Sequence, residues 1–321
     1  MKDFNGKIAV LTGGGTGMGR ELARQLAAEG CNVAMCDVSE KNMAETVRLI
    51  VKDGAPQGTR ITAHLADVSI EKELQKFRDE VAGAHDTDKI HLLFNNAGIG
   101  GGGSMIESSR AEWERTFNIC WGGVYWGVRT FLPMLMKANE GHIINTSSVN
   151  GFWASLGPMT PHTAYAAAKF AVKGFTEALI TDLRLNAPHI KCSVVMPGHI
   201  GTEIAANSRK VLKGAPDSDD VSAEEIAGAR TRMKRQGVAV DALNDAQIAA
   251  MIQGMGAAFR DNAPMSAAEA AKVILDGVKA ERWRILVGAD AHALDERVRA
   301  DPETVYDPDF GGISNLTAQR R

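Results

Sequence analysis

Few features restrict a fold more than the way Lys7 to Thr12 (KIAVLT), a short β-branched apolar run, breaks into Thr12-Gly13-Gly14-Gly15-Thr16-Gly17-Met18-Gly19. Such a run suits a strand buried on both faces of a parallel sheet. Beyond the glycines, Met18, Leu22 and Leu26 recur at helical spacing and Gly30 closes the pattern. A second strand, Asn32 to Asp37 (NVAMCD), follows directly. Strand, glycine turn, helix and strand in about thirty residues make a βαβ unit. Its first turn needs glycine because the backbone must bend tightly and let a pyrophosphate come close, while the helix amino end offers N–H donors. Gly13, Gly15, Thr16, Gly17, Met18 and Gly19 are therefore candidate cofactor contacts. The alternative is a glycine turn without a ligand, and the strand-helix-strand context weighs against it.

The alternation continues. Helices are expected over Glu40 to Asp53, Ser69 to Ala84 and about Ser109 to Lys137, and strands over Ile61 to Leu65, Ile90 to Phe94 and His142 to Asn145. The helix bearing Tyr165 runs to about Leu185, and Ile190 to Val195 is a strand before Met196-Pro197-Gly198. The pattern predicts an α/β protein: a doubly wound parallel sheet of about seven strands with helices on both faces, binding its ligand at the strands' carboxyl ends. Between Glu203 and Pro264 the alternation stops, and helical patterns at Ser222 to Gln236 and Asn244 to Arg260 predict a lid, entered through a polar, mobile hinge from Asn207 to Asp220. Ser266-Ala267-Ala268-Glu269 is a capping box opening a helix to about Glu281; Trp283 to Val287 is the last strand, and the tail from Asp290 is expected as loop. One domain over 1–321 is the expectation: a dinucleotide-binding part at about 1–150, a catalytic part at about 140–202, a lid at about 203–264, and a final helix, strand and tail at 265–321.

Composition sets outer limits. Thirty-six lysines and arginines against 39 aspartates and glutamates leave a net charge of -3, so no basic footprint points to nucleic acid or an anionic membrane. No apolar run is long enough for a signal-peptide core or a membrane span. Cys31, Cys36, Cys120 and Cys192 lack metal or dithiol spacing and suit small core residues in a reducing compartment, so a cytoplasmic location is expected and no metal.

Asp37 ends the second strand, eighteen positions beyond Gly19. A carboxylate there can accept both hydroxyls of an adenosine ribose and repels a 2'-phosphate, which favours NAD over NADP. Its other reading is a helix cap before Ser39. Tyr165 and Lys169 are four apart on one helix, so an ammonium can stand beside a phenol and draw its pKa down from about 10 toward the range of a proton shuttle.

In order along the chain, Thr12 to Gly19, Asn95 to Gly98, Asn118, Ser148, Tyr165, Lys169 and Pro197-Gly198 resemble the classical short-chain dehydrogenases/reductases, over roughly Gly6 to Thr202 plus the last strand. The resemblance implies a Rossmann fold and an NAD-dependent oxidoreductase that interconverts a secondary alcohol and its ketone. It implies Tyr165 as general acid/base, Lys169 lowering its pKa and holding the nicotinamide ribose, Ser148 bonding the substrate oxygen, and Asn118 holding a water in a proton relay. Asp67 and Val68 would sit at the adenine, Asn95, Ala97 and Gly98 would support the central strand and border the adenosine, and Pro197, Gly198, Ile200 and Thr202 would face the nicotinamide. A homodimer or homotetramer on the long helices is also implied.

Ser148 and Tyr165 are seventeen positions apart, more than the family's pattern, and the excess falls in Gly151 to His162. Ser147, and more remotely Ser155, therefore compete with Ser148. Phe152, Trp153, Met159, Trp121, Trp126, Met251, Met255 and Phe259 are either core or the lining of a pocket for an apolar or aromatic substrate. His162 and His199 are read as loop histidines. Two other readings stand beside the first: an NADP-using carbonyl or 3-oxoacyl reductase, and a non-catalytic NAD(H) sensor.

Overall fold

The computed structural model describes residues 1–157, 160–235 and 237–311. The strands are β1 (Ile8–Thr12), β2 (Asn32–Asp37), β3 (Ile61–Leu65), β4 (Leu92–Asn95), β5 (Gly141–Thr146), β6 (Ile190–Pro197), β7 (Ile200–Gly201), β8 (Met265–Ser266) and β9 (Arg284–Val287). Seven of them form one parallel sheet in the order β3-β2-β1-β4-β5-β6-β9. Because β1 pairs with β2 on one side and β4 on the other, the winding reverses there and opens a crevice at the strands' carboxyl ends.

Both faces of the sheet are covered, which is why β1, β4 and β5 are buried along almost their whole length, with β1 and β4 mostly apolar. On one face α1 (Gly17–Ala28) and α10 (Ala267–Lys279) set Leu22, Leu26, Ile274 and Leu275 against the sheet, with α2 (Glu40–Asp53) beside α1. On the other, α3 (Glu71–His85), α5 (Gly123–Met136) and α6 (Thr163–Asn186) contribute Phe77, Phe131, Leu179 and Leu183.

Three expectations are corrected. The long helix is broken: α4 (Arg110–Phe117) passes through a π-helical turn, Asn118–Gly122, into α5. Gly122 and Gly123 weaken the α-helical register there. Gly123 and Gly127, one turn apart, let the helix lie close, since a Cβ would come 2.7 Å from Val68 Cγ2 at the first and 2.1 Å from Asn95 Oδ1 at the second.

The first part of the stretch expected as a hinge is helix, α7 (Ile204–Leu212), which turns Ser208 inward, and turns and loop follow it to Asp220. Two further lid helices follow, α8 (Ala223–Arg235) and α9 (Asp245–Asp261), packed around Ala229, Met233, Val240 and Ile248. The paired strands β7 and β8 fasten the two ends of the lid together.

The tail, expected as loop, begins with a helix, α11 (Ala289–Ala300). It buries only Asp290, Ala291 and Leu294, too little to show a helical period in sequence. The chain after it returns to the segment following β5: Trp153 Nε1 donates to the Val305 carbonyl at 2.8 Å, and the Ala154 N–H to Tyr306 Oη at 3.1 Å. Among the described residues no helix is long and apolar enough to cross a membrane.

Candidate active site

The crevice between β1 and β4 is floored by the glycine turn. Gly13 has φ +71°, and a Cβ there would stand 2.9 Å from Ala97 Cα, so glycine is required for both conformation and space. A Cβ on Gly19 would fall 1.9 Å from the Gly13 carbonyl oxygen. Thr16 precedes α1 without capping it, leaving the first-turn N–H groups free to meet an anion. These features fit a pyrophosphate.

Asp37 lies at the mouth of that turn. Its Oδ2 accepts the Gly15 N–H at 2.9 Å and its Oδ1 the Ser39 N–H at 3.1 Å. Burial pushes its pKa up, and those N–H groups act against the shift. Ser39 itself caps α2, accepting the Asn42 N–H at 3.1 Å, so Asp37 is not the cap. Arg20 does not face a phosphate: its guanidinium donates to the Gly15 carbonyl and, at 3.1 Å, to Thr46 Oγ1.

The crevice is lined by Gly13, Thr16, Gly17, Met18 and Gly19, then by Asp37, Asp67, Val68, Ala97, Gly98 and Thr202. Asp67 is buried, which pushes its pKa up, but Arg115 at 2.5 Å and Ser69 at 2.7 Å outweigh that and hold it below the usual carboxylate value. Gly15 stands behind the wall as the Asp37 donor. Asn95 is buried away from the crevice, joining β4 to β5 through Asn145 Oδ1 at 2.8 Å, so its part is structural. Pro197, Gly198 and Ile200 lie behind Thr202, where Asp290 accepts the His199 N–H at 2.7 Å. Arg115, Ser39, Asn207 and Pro216 also line the crevice and were not anticipated; Asn207 and Pro216 come from the lid.

At the inner end, Tyr165 and Lys169 project from α6. Ser148, which follows the end of β5, lies close enough to the Tyr165 phenol to draw its pKa down against the effect of burial. Lys169 is 2% exposed, its Nζ donating to the Thr146 carbonyl at 2.8 Å and standing 5.3 Å from the Tyr165 ring centroid. Burial pushes the phenol well above its ordinary pKa and the ammonium below its own. The expected lowering of the phenol by Lys169 is not seen: burial, with the Cys120 thiol adding to it, outweighs the opposing pull of the Ser148 hydroxyl.

The competing serines have different surroundings. Ser147 Oγ donates to the Lys169 carbonyl at 2.7 Å and faces the helix backbone; Ser148 faces the phenol. Ser155 accepts the Gly157 N–H at 2.9 Å within its own loop.

Asn118 opens the π-turn and is exposed. Two residues on, Cys120 stands on the inner wall, fully buried, its Sγ donating to the Ile99 carbonyl at 3.1 Å. A Cβ on Gly98 would fall 3.4 Å from Lys169 Nζ and 3.7 Å from Cys120 Sγ, so thiol and ammonium flank the same glycine.

His162 stacks on Tyr165 with ring centroids 4.7 Å apart, and burial lowers its pKa to about 4, so it is neutral at neutral pH. His199 Nε2 meets the Phe259 carbonyl of α9 at 2.7 Å. Trp121 and Trp126 belong to an aromatic cluster with Tyr125 and Phe175, and Trp153 is core beneath the tail. Met159 lies outside the described residues.

A phenol, a hydroxyl and an ammonium converging at the end of an anion-binding crevice can pass a proton to or from an oxygen resting between Tyr165 and Ser148. Comparison with known proteins agrees with such chemistry. The short chain dehydrogenase family pattern matches residues 7–213. The chain is 33% identical to the Mycobacterium tuberculosis protein SadH over 299 residues, 93% of this chain and 92% of that one. It is 32% identical to levodione reductase of Leifsonia aquatica over 224 residues, 70% of this chain and 79% of the relative. A crystal structure of a Burkholderia phymatum short-chain dehydrogenase/reductase in complex with NAD superposes with a TM-score of 0.74 at 30% identity, covering 95% of this chain and 96% of the other.

Proposed function

This chain belongs to the short-chain dehydrogenase/reductase family, and from that premise we propose that it interconverts a secondary alcohol and its ketone with NAD as hydride carrier and Tyr165 as general acid/base. The observation that carries the reading is Tyr165, set beside buried Lys169 with its Nζ 5.3 Å from the ring and with the Ser148 hydroxyl near the phenol, at the inner end of the crevice. A bound nicotinamide nucleotide supplies or takes the hydride. The residues supply the rest. In oxidation Tyr165 acts as the phenolate: the alcohol oxygen rests between the Ser148 hydroxyl and Tyr165 Oη, and its proton passes to that phenolate oxygen. Lys169 stabilises the phenolate through the short gap to its ring. In reduction Tyr165 returns the proton and Ser148 donates to the forming alkoxide.

Asp37, already fixed by two backbone N–H groups, supports NAD over NADP, and Arg20 is turned onto the loop backbone. Exposed Met255 of α9 and Phe259 near His199 support an apolar substrate, as does a relative named for the reduction of levodione. Trp121 and Phe175, edge to face at 5.4 Å between the long helices, and exposed Phe170 support a dimer or tetramer built there. The four cysteines, free and buried, are in keeping with a cytoplasmic location.

The test is a pair of measurements. Titration with NADH and NADPH should show tighter NADH binding, and equal or tighter NADPH binding overturns the cofactor assignment. Tyr165→Phe should abolish turnover across a panel of apolar secondary alcohols while NADH binding stays within about threefold; retained turnover removes Tyr165 from its role.

A further inference from the structure

The lid touches the crevice at its phosphate and adenosine end. Asn207 Nδ2 on α7 donates to Thr16 Oγ1 of the glycine turn at 3.0 Å. Ser208 Oγ, the next residue, accepts the Gly100 N–H at 2.7 Å. Farther on, Asp217 Oδ1 accepts the hydroxyl of Ser39, and neighbouring Pro216 lines the crevice. Ser39 therefore joins two carboxylates, giving its N–H to Asp37 and its O–H to Asp217.

The lid's cations do not offset this charge. Arg209 pairs with Glu225 at 3.1 Å, Lys210 with Asp219 at 2.5 Å, and Lys213 lies 3.9 Å from Glu225. A phosphate on the ribose 2'-oxygen would approach Asp37 with Asp217 close behind, while the hydroxyl of NAD meets two acceptors. The carboxylate of Asp217 also adds to the burial that disfavours charge on Asp37.

We propose that residues 204–217 clamp the adenosine half of the cofactor, and that Asp217 is a second selector against a 2'-phosphate, acting with Asp37. The inference rests on the NAD reading of the crevice. It places the first part of the lid on the cofactor and leaves substrate contact to α9.

Asp217→Asn keeps an oxygen for Ser39 and removes the charge, and Asp217 is exposed, so the variant folds. Cofactor titration by nicotinamide fluorescence should show NADPH affinity rising roughly 5- to 20-fold with NADH affinity within about twofold. High salt should shrink that gain. An unchanged NADPH affinity overturns the selector. Wild-type protein that binds NADPH as tightly as NADH overturns the NAD reading instead, so the two failures differ. For the clamp, Asn207→Ala should speed NADH dissociation in stopped flow by about 2- to 10-fold, the loss of one neutral hydrogen bond. An unchanged rate overturns it.

Discussion

Replacing Ser147 and Ser148 singly by alanine should produce two proteins of similar stability and very different activity. Ser147 Oγ is buried and makes one bond, 2.7 Å to the Lys169 carbonyl. That carbonyl keeps its partner within the helix, so Ser147→Ala loses a single neutral hydrogen bond, about 1 kcal/mol. Ser148 Oγ accepts the Asn150 N–H at 3.1 Å and caps the 3-10 turn Val149–Gly151, again about 1 kcal/mol. Each variant should therefore melt roughly 2 °C below the parent. In catalysis they part. Removing Ser148 takes away a donor to the developing alkoxide, about 100- to 1,000-fold in kcat, or ~3–4 kcal/mol. Removing Ser147 should change kcat by no more than about threefold, because its hydroxyl points at backbone. Thermal unfolding and steady-state kinetics on a substrate of the wild-type protein measure both. If Ser147→Ala loses as much activity as Ser148→Ala, or Ser148→Ala stays within tenfold of wild type, the assignment of the two hydroxyls is wrong.

Two further expectations concern stability. Gly127→Ala should cost about 2–4 kcal/mol, because its Cβ would lie 2.1 Å from Asn95 Oδ1, whereas Gly174→Ala in α6, with nothing within 4 Å, should gain about 0.5–1 kcal/mol; urea unfolding measures both. His142 is fully buried, Nε2 bonded to Ser193 Oγ at 2.7 Å, and burial lowers its pKa to about 3. The unfolded chain binds this proton near pH 6.5 and the folded chain only near 3, so its contribution is whole above 6.5 and falls by about 1.4 kcal/mol per pH unit below. His142→Gln should flatten that part of the pH–stability curve. A third expectation separates the wall residues: Asn118→Ala should lower kcat at least about tenfold with NADH binding within about twofold, as for a proton-relay residue, while Cys120→Leu, which fills the space beside Gly98, should weaken NADH binding more than tenfold.

Much of this was legible in the chain because it is local. The βαβ unit is written in a glycine turn between two apolar runs, and Tyr165 and Lys169 are held together by helical spacing alone. Asn118 is named from the resemblance alone, and it stands at the first position of the π-turn, which helical spacing does not announce. The Ser147 and Ser148 pair could not be resolved from sequence, since adjacent residues after a strand diverge by a backbone geometry that spacing does not encode. Helices α7 and α11 were missed for a common reason. They bury so few residues that neither shows a period, and what holds them is long-range: Asn207 on Thr16, Arg284 on Asp295 at 2.5 Å.

The loop carrying the extra residues between Ser148 and Tyr165 is fastened from the far end of the chain, by the Val305 carbonyl on Trp153 and by Tyr306 on the Ala154 N–H. The two segments are one joint made of parts some 150 residues apart in sequence. A library that varies 151–157 alone varies half of that joint. Grafting the loop onto a related scaffold without its tail transplants a hinge without its pin. Shortening the chain before Val305 should uncover Trp153 and free the segment 151–157.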